Sequence, residues 1–119
     1  MTPKIENFEF VRGDTFSRNV TVCNCLDNIT EIYFTVKSDY EDKVPVIQKS
    51  LTGGGITLIE DLKDEKKYNL LINATDTDLM KVDTEYVYDL QIVADTLKAT
   101  VLKGTITLEA DVTRTINEG

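Results

Sequence analysis

Two alternating runs near the C-terminal end constrain this chain more than anything else in it. Glu85-Tyr86-Val87-Tyr88-Asp89-Leu90-Gln91-Ile92-Val93-Ala94 is followed by a polar break over residues 95–98. The second run is Ala99-Thr100-Val101-Leu102-Lys103-Gly104-Thr105-Ile106-Thr107-Leu108-Glu109, and it stops at Asp111-Val112-Thr113-Arg114. Both are rich in β-branched and aromatic residues. Apolar side chains recur at every second position, which gathers them on one face of a strand and would scatter them around a helix. The runs predict two long antiparallel strands joined by a tight connection.

The remainder repeats this pattern in shorter pieces. Residues 5–11, entered after Pro3, put Phe8 and Phe10 on one face and Asn7 and Glu9 on the other. Arg12-Gly13-Asp14 is a turn, and residues 15–23 carry Phe16, Arg18, Val20 and Val22 on one parity, so these two segments are expected to form a hairpin. After the polar turn Leu26-Asp27-Asn28, residues 31–37 alternate cleanly, Ile32, Phe34 and Val36 facing in and Tyr33, Thr35 and Lys37 facing out. A charged loop over 39–43 leads to a strand over 44–51, which Pro45 confines to an edge or to its own first residues. Gly53-Gly54-Gly55 supplies a hairpin with positive φ before the strand containing Ile56, Leu58 and Ile59.

Beyond a charged turn over 63–67, Tyr68, Leu70 and Ile72 alternate with Asn69, Leu71 and Asn73. Thr75-Asp76-Thr77-Asp78 reads as a capping box, with Thr75 as the cap of one helical turn over 76–81 that drops Leu79 or Met80 under the sheet edge. The sum is about eight short strands and one helical turn, with no repeat or linker. This predicts a single all-β domain over residues 1–119, an immunoglobulin-like antiparallel β-sandwich. In such sandwiches a tyrosine at this corner bonds back to the backbone, and Tyr86 and Tyr88 are the candidates. The cysteine pair and tryptophan of true immunoglobulin domains are missing.

A chain of 119 residues can bury roughly two-thirds of its unfolded surface in one core. Its 41% hydrophobic and 29% charged residues are globular values. Acidic residues outnumber basic ones by 21 to 13, a formal charge of -8 that disfavours a nucleic-acid partner. Because the acids are spread along the chain, they read as a solvated surface. Cys23 and Cys25 stand two apart in a strand with no turn between them, where a bridge would be strained and two thiolates are too few for zinc. Free thiols in a reducing cytoplasm are expected. No basic segment precedes an apolar run and no stretch reaches membrane-spanning length, so neither secretion nor membrane insertion is expected.

Histidine is absent, which removes imidazole from any triad or metal site. Carboxylates cluster at Asp39, Glu41 and Asp42, at Asp61, Asp64 and Glu65, and at Asp76 and Asp78, but all three groups fall in expected turns, where acids are ordinary. Asp76-x-Asp78 starts like a calcium loop, yet Met80 stands where an oxygen ligand belongs. The triple glycine has no Lys-Ser/Thr after it and is no phosphate cradle. Arg12-Gly13-Asp14 spells an integrin-binding tripeptide, but a turn explains it as well. The sequons at Asn19, Asn28 and Asn73 are idle without secretion. No enzyme activity, catalytic residue, metal site or cofactor is expected.

A series of motifs runs in order along the chain: Gly54-Gly55-Ile56-Thr57-Leu58, the stretch from Tyr68 through Asn73-Ala74-Thr75-Asp76 to Leu79, Tyr86-Val87-Tyr88-Asp89-Leu90, Lys103-Gly104-Thr105-Ile106-Thr107-Leu108 and Asp111-Val112-Thr113-Arg114. The order resembles small phage structural proteins, in particular the N-terminal domain of the upper baseplate protein of siphophages that infect Gram-positive bacteria. Arg12-Gly13-Asp14-Thr15 matches a turn with which that family opens. The resemblance covers about residues 8–114. It implies an immunoglobulin-like sandwich in a phage or prophage virion, in the tail or baseplate, synthesised in the host bacterial cytoplasm. Its partners would be other phage structural proteins, with no nucleic acid and no membrane. Sheet edges and loops such as residues 39–43 and Gly53 to Gly55 would dock copies into a ring. The large baseplate proteins continue beyond this domain whereas this sequence stops at Gly119, so an accessory or attachment module is expected. The alternative is a bacterial immunoglobulin-like interaction or adhesion module.

Overall fold

The computed structural model describes residues 3–23, 29–62, 65–95 and 97–110. Its elements are β1 (Lys4–Ile5), β2 (Phe8–Val11), β3 (Phe16–Cys23), β4 (Ile29–Lys37), β5 (Ile47–Ser50), β6 (Ile56–Asp61), β7 (Glu65–Ile72), α1 (Ala74–Thr77), β8 (Glu85–Ala94) and β9 (Lys98–Glu109). In the larger sheet β9, β8, β4 and β5 pair antiparallel in that order, and β1 and β2 both run parallel to β9 at the far edge. The smaller sheet has the order β3-β7-β6. Two mainly antiparallel sheets with this order form an immunoglobulin-like sandwich, as the alternation predicts.

The core lies where the two inner faces meet. Phe34, Ile32, Ile92, Ile106 and Leu108 come from the larger sheet and Leu70 and Ile72 from the smaller, all nearly inaccessible to water. Each sits on the parity that the alternation assigns to the inside. The corner tyrosine is Tyr86, whose hydroxyl accepts the Lys81 N–H at 2.7 Å. Of the two residues expected under the sheet edge, Met80 is buried and Leu79 is exposed.

Several expectations are corrected. Residues 5–11 and 15–23 do not form a hairpin, because β2 joins the larger sheet and β3 the smaller. By crossing over at residues 12–15, the chain sets Phe16 against Phe8 and Phe10, with ring centroids 5.0 and 4.9 Å apart. The rings thereby close the open side of the sandwich, which they would leave uncovered if they stood side by side on one sheet. Gly54 and Gly55 do take positive φ, but the chain there also crosses between sheets and makes no hairpin. Residues 44–46 lie outside β5, and β7 begins at Glu65, so Asp61 and Glu65 are strand residues rather than turn residues. The helical turn starts earlier than expected, with Asn73 as its cap. The Asp76 carboxylate reaches back to the Asn73 N–H at 2.9 Å, a reach that Asp78 would have needed to make for a cap at Thr75. Cys25, Asn28 and Asp64 lie outside the described residues, as does the side chain of Cys23.

The first strand is split in two at Glu6 and Asn7, which accounts for nine strands among the described residues where about eight are expected. At the break the Glu6 N–H donates to the Lys103 carbonyl at 2.9 Å, and the Glu6 carbonyl accepts the buried Tyr88 hydroxyl at 2.5 Å. The Glu6 carboxylate takes two hydrogen bonds from Arg18, at 2.9 and 3.0 Å, which ties the larger sheet to the smaller. Asn7 Oδ1 accepts the Thr105 N–H at 3.0 Å. Gly104 makes room for this knot, since a Cβ there would collide with the Glu6 carbonyl oxygen and approach Asn7 Oδ1 to 2.8 Å.

Gly104→Ala is expected to cost about 1–3 kcal/mol of stability, read from urea unfolding, because the rigid Glu6 backbone must shift. Hydrogen bonding by Arg18 holds the Glu6 carboxyl below its ordinary range. A depressed carboxyl contributes stability above its unfolded value and loses it as pH falls through the folded one. The advantage of the native chain over Glu6→Gln should therefore be full at neutral pH and fade on acidification below the usual carboxylate range. Urea midpoints measured across that range would refute the link if the gap stayed constant.

Candidate interaction surface

The residues β8 points away from the core, Val87, Asp89 and Gln91, form the floor of a trough on the outer face of the larger sheet. In register with them lie Lys37 opposite Val87, Thr35 opposite Asp89 on the β4 side, and Lys103 opposite Asp89 on the β9 side. Tyr40, Lys43 and Pro45 from the β4–β5 loop raise one wall, and Pro3 bounds the other side. The open recess has a volume of about 680 Å³, within the range of ligand sites.

The loop wall is held by its own acids. The Asp39 N–H donates to Asp42 Oδ2 at 3.1 Å and the Glu41 N–H to Asp39 Oδ1 at 3.2 Å. These carboxylates are committed to turn geometry, as their turn setting predicts. Tyr40 and Lys43 are left pointing at the trough, with Tyr40 68% exposed.

The floor is polar and partly dehydrated. Asp89 is half-buried, and its carboxylate makes no hydrogen bond among the described residues. Burial pushes its carboxyl above the ordinary range, and the nearby Lys37 charge opposes this only in part. Lys37, Lys43 and Lys103 form no salt bridge among the described residues. The lining therefore presents three ammonium groups and one carboxylate on a chain of formal charge -8.

The other singled-out residues lie elsewhere. Asp76 is engaged by Asn73 and by Lys49 Nζ at 2.7 Å, a strut between α1 and β5. Arg12-Gly13-Asp14 forms a tight turn in which Gly13 has φ 90° and donates its N–H to the fully buried Thr77 hydroxyl at 2.9 Å. It is pinned to α1, not displayed on a projecting loop. Gly53 to Gly55 does not line the trough. Among the described residues no three acidic or cysteine side chains gather as a metal-sized group. The trough lysines do not stand out in the sequence because strand register alone brings Lys37 and Lys103 to the two sides of β8, and the β4–β5 loop adds Lys43. The available signal is the outward parity of Lys37 and Lys103 on their strands.

No family model matches the chain, and no curated protein matches it. Among solved structures it is similar to the extracellular fragment of novel immune-type receptor 11 from Ictalurus punctatus, at 10% identity over 98% of this chain and 93% of that one, TM-score 0.46. It is also similar to the extracellular domain of the voltage-gated sodium channel β4 subunit, whose homodimers are connected with cell–cell adhesion, at 13% identity over 94% and 97%, TM-score 0.43. A third is the natural killer cell receptor Nkp44, at 8% identity over 91% and 99%, TM-score 0.44. At these scores the fold assignment stands on the sheet order alone.

Because the raised carboxyl of Asp89 disfavours its charged form, the stability it confers is present below its unfolded value of 3.8 and is lost as pH rises through the folded one. Asp89→Asn should therefore match or exceed the native chain in stability at about pH 7, with the native chain gaining on it as pH falls toward about 4. Urea midpoints at several pH values check this, and a native advantage that grew with pH would reverse the sign.

Proposed function

We propose that this chain is a non-enzymatic immunoglobulin-like interaction module that acts by protein–protein contact through the outer face of its larger sheet. The observation that carries this reading is the trough itself. A broad, open recess crosses four strands of the sheet, and its lining offers hydrogen-bonding and charged groups with Asp89 as its single acid. Its shape suits docking, which needs a firm, complementary surface more than it needs reactive groups.

The finer reading places the module in a phage or prophage particle, as a tail or baseplate component made in the host bacterial cytoplasm. The order of the sequence motifs supports it. The glycine–Ile56-Thr57-Leu58 motif falls on β6, the Tyr68–Leu79 stretch on β7 and α1, and the two following motifs on β8 and β9, while Asp111 to Arg114 lies outside the described residues. The rival reading, a bacterial adhesion module, uses the same face in a different setting.

Particles purified after prophage induction should contain the protein at a fixed ratio to the tail proteins, measured by quantitative mass spectrometry. Tailed particles lacking it would sink the virion reading. Failure of cross-linkers placed at Thr35 or Gln91 to capture any protein in cells, while those on the opposite sheet succeed, would sink the outer face as the docking surface.

A further inference from the structure

We infer that the trough on the larger sheet takes an acidic, extended segment of a partner protein, whose carboxylates pair with Lys37, Lys43 and Lys103. This deepens the interaction-module reading and rests on it. Three observations lead to it. The three ammonium groups come from β4, the β4–β5 loop and β9, surround the same recess and lack salt-bridge partners among the described residues. The protein around them is strongly acidic, so a local excess of positive charge runs against the average of the surface. Of the loop acids, Asp39 and Asp42 are turned onto loop amides, and Glu41 is not part of the lining.

Charge also selects against one occupant. Two copies pairing face to face about a two-fold axis would set three lysines against three lysines, with only one Asp89 from each side to offset them. An acidic segment meets no such repulsion except at Asp89. That carboxyl is half-buried at the floor and is the acceptor available to a backbone N–H of the incoming segment.

The probe is a soluble hexaglutamate peptide titrated into the full ¹⁵N-labelled chain, with hexalysine as control. Amide shifts are expected at Thr35, Val87, Gln91 and Thr100 with hexaglutamate alone, weakening as salt rises from about 50 to about 500 mM. The triple variant Lys37→Gln, Lys43→Gln, Lys103→Gln should bind about tenfold more weakly or worse, taking each exposed pair at up to about 1 kcal/mol. Its unperturbed spectrum elsewhere would verify its fold.

Shifts spread over other lysines, or an undiminished response in the triple variant, would overturn the proposal. So would sedimentation showing native-chain oligomers that the triple variant abolishes, since the occupant would then be a second copy. A triple variant still captured by the native chain's partners would overturn the trough while leaving the interaction-module reading in place. A hexaglutamate response by a protein absent from particles would remove only the virion setting.

Discussion

Strand β8 is the constraint from which the rest of the structure follows. Its inward residues, Tyr86, Tyr88, Leu90, Ile92 and Ala94, are all buried, and its outward residues Val87, Asp89 and Gln91 floor the trough. Because side chains alternate strictly, a slip of one residue against β4 or β9 would exchange the core for the outer face. Each tyrosine also fixes something outside the sheet. Tyr86 anchors the corner through Lys81, and Tyr88 anchors the N-terminal strand through Glu6.

The N-terminal strand shows how local polar contacts set a larger arrangement. Burying Tyr88 leaves its hydroxyl in need of an acceptor, and the Glu6 carbonyl at the break between β1 and β2 provides one. That break is possible because Gly104 has no side chain, and it places the Glu6 carboxylate within reach of Arg18 on the other sheet. Burial keeps the Tyr88 hydroxyl protonated far above the ordinary range, so it remains a donor at any pH at which the fold survives. Closure of this edge thus depends on polar geometry as much as on the packed phenylalanines.

The trough has a different physical basis from the core. Its walls come from a loop that holds its shape through its own carboxylates, and its charge comes from residues distant in sequence. A surface of this kind is tolerant: its lysines carry little of the fold, so their arrangement is free to serve recognition. The same holds less well for Asp89, whose partial burial makes it a cost to the folded state that an apolar residue would avoid.

Periodicity made most of the inner face legible. Ile32, Phe34, Val36, Leu70, Ile72 and the inward side of β8 are where alternation puts them, because burial on one side of a strand imposes a period of two that no other element shares. What alternation cannot express is which sheet a strand enters. Phe8, Phe10 and Phe16 carry the same pattern whether their strands pair as neighbours or face each other, and only the need to close the sandwich edge chose the second. The approach of Lys103 to Lys37 likewise arises from pairing register on the two sides of β8, with Lys43 brought in by the β4–β5 loop. The sequence by itself determined which side chains turn inward, since that is a local property of an extended backbone. The tertiary structure decided which outward side chains become neighbours, since that follows from strand order and register, which are set by the packing of the whole.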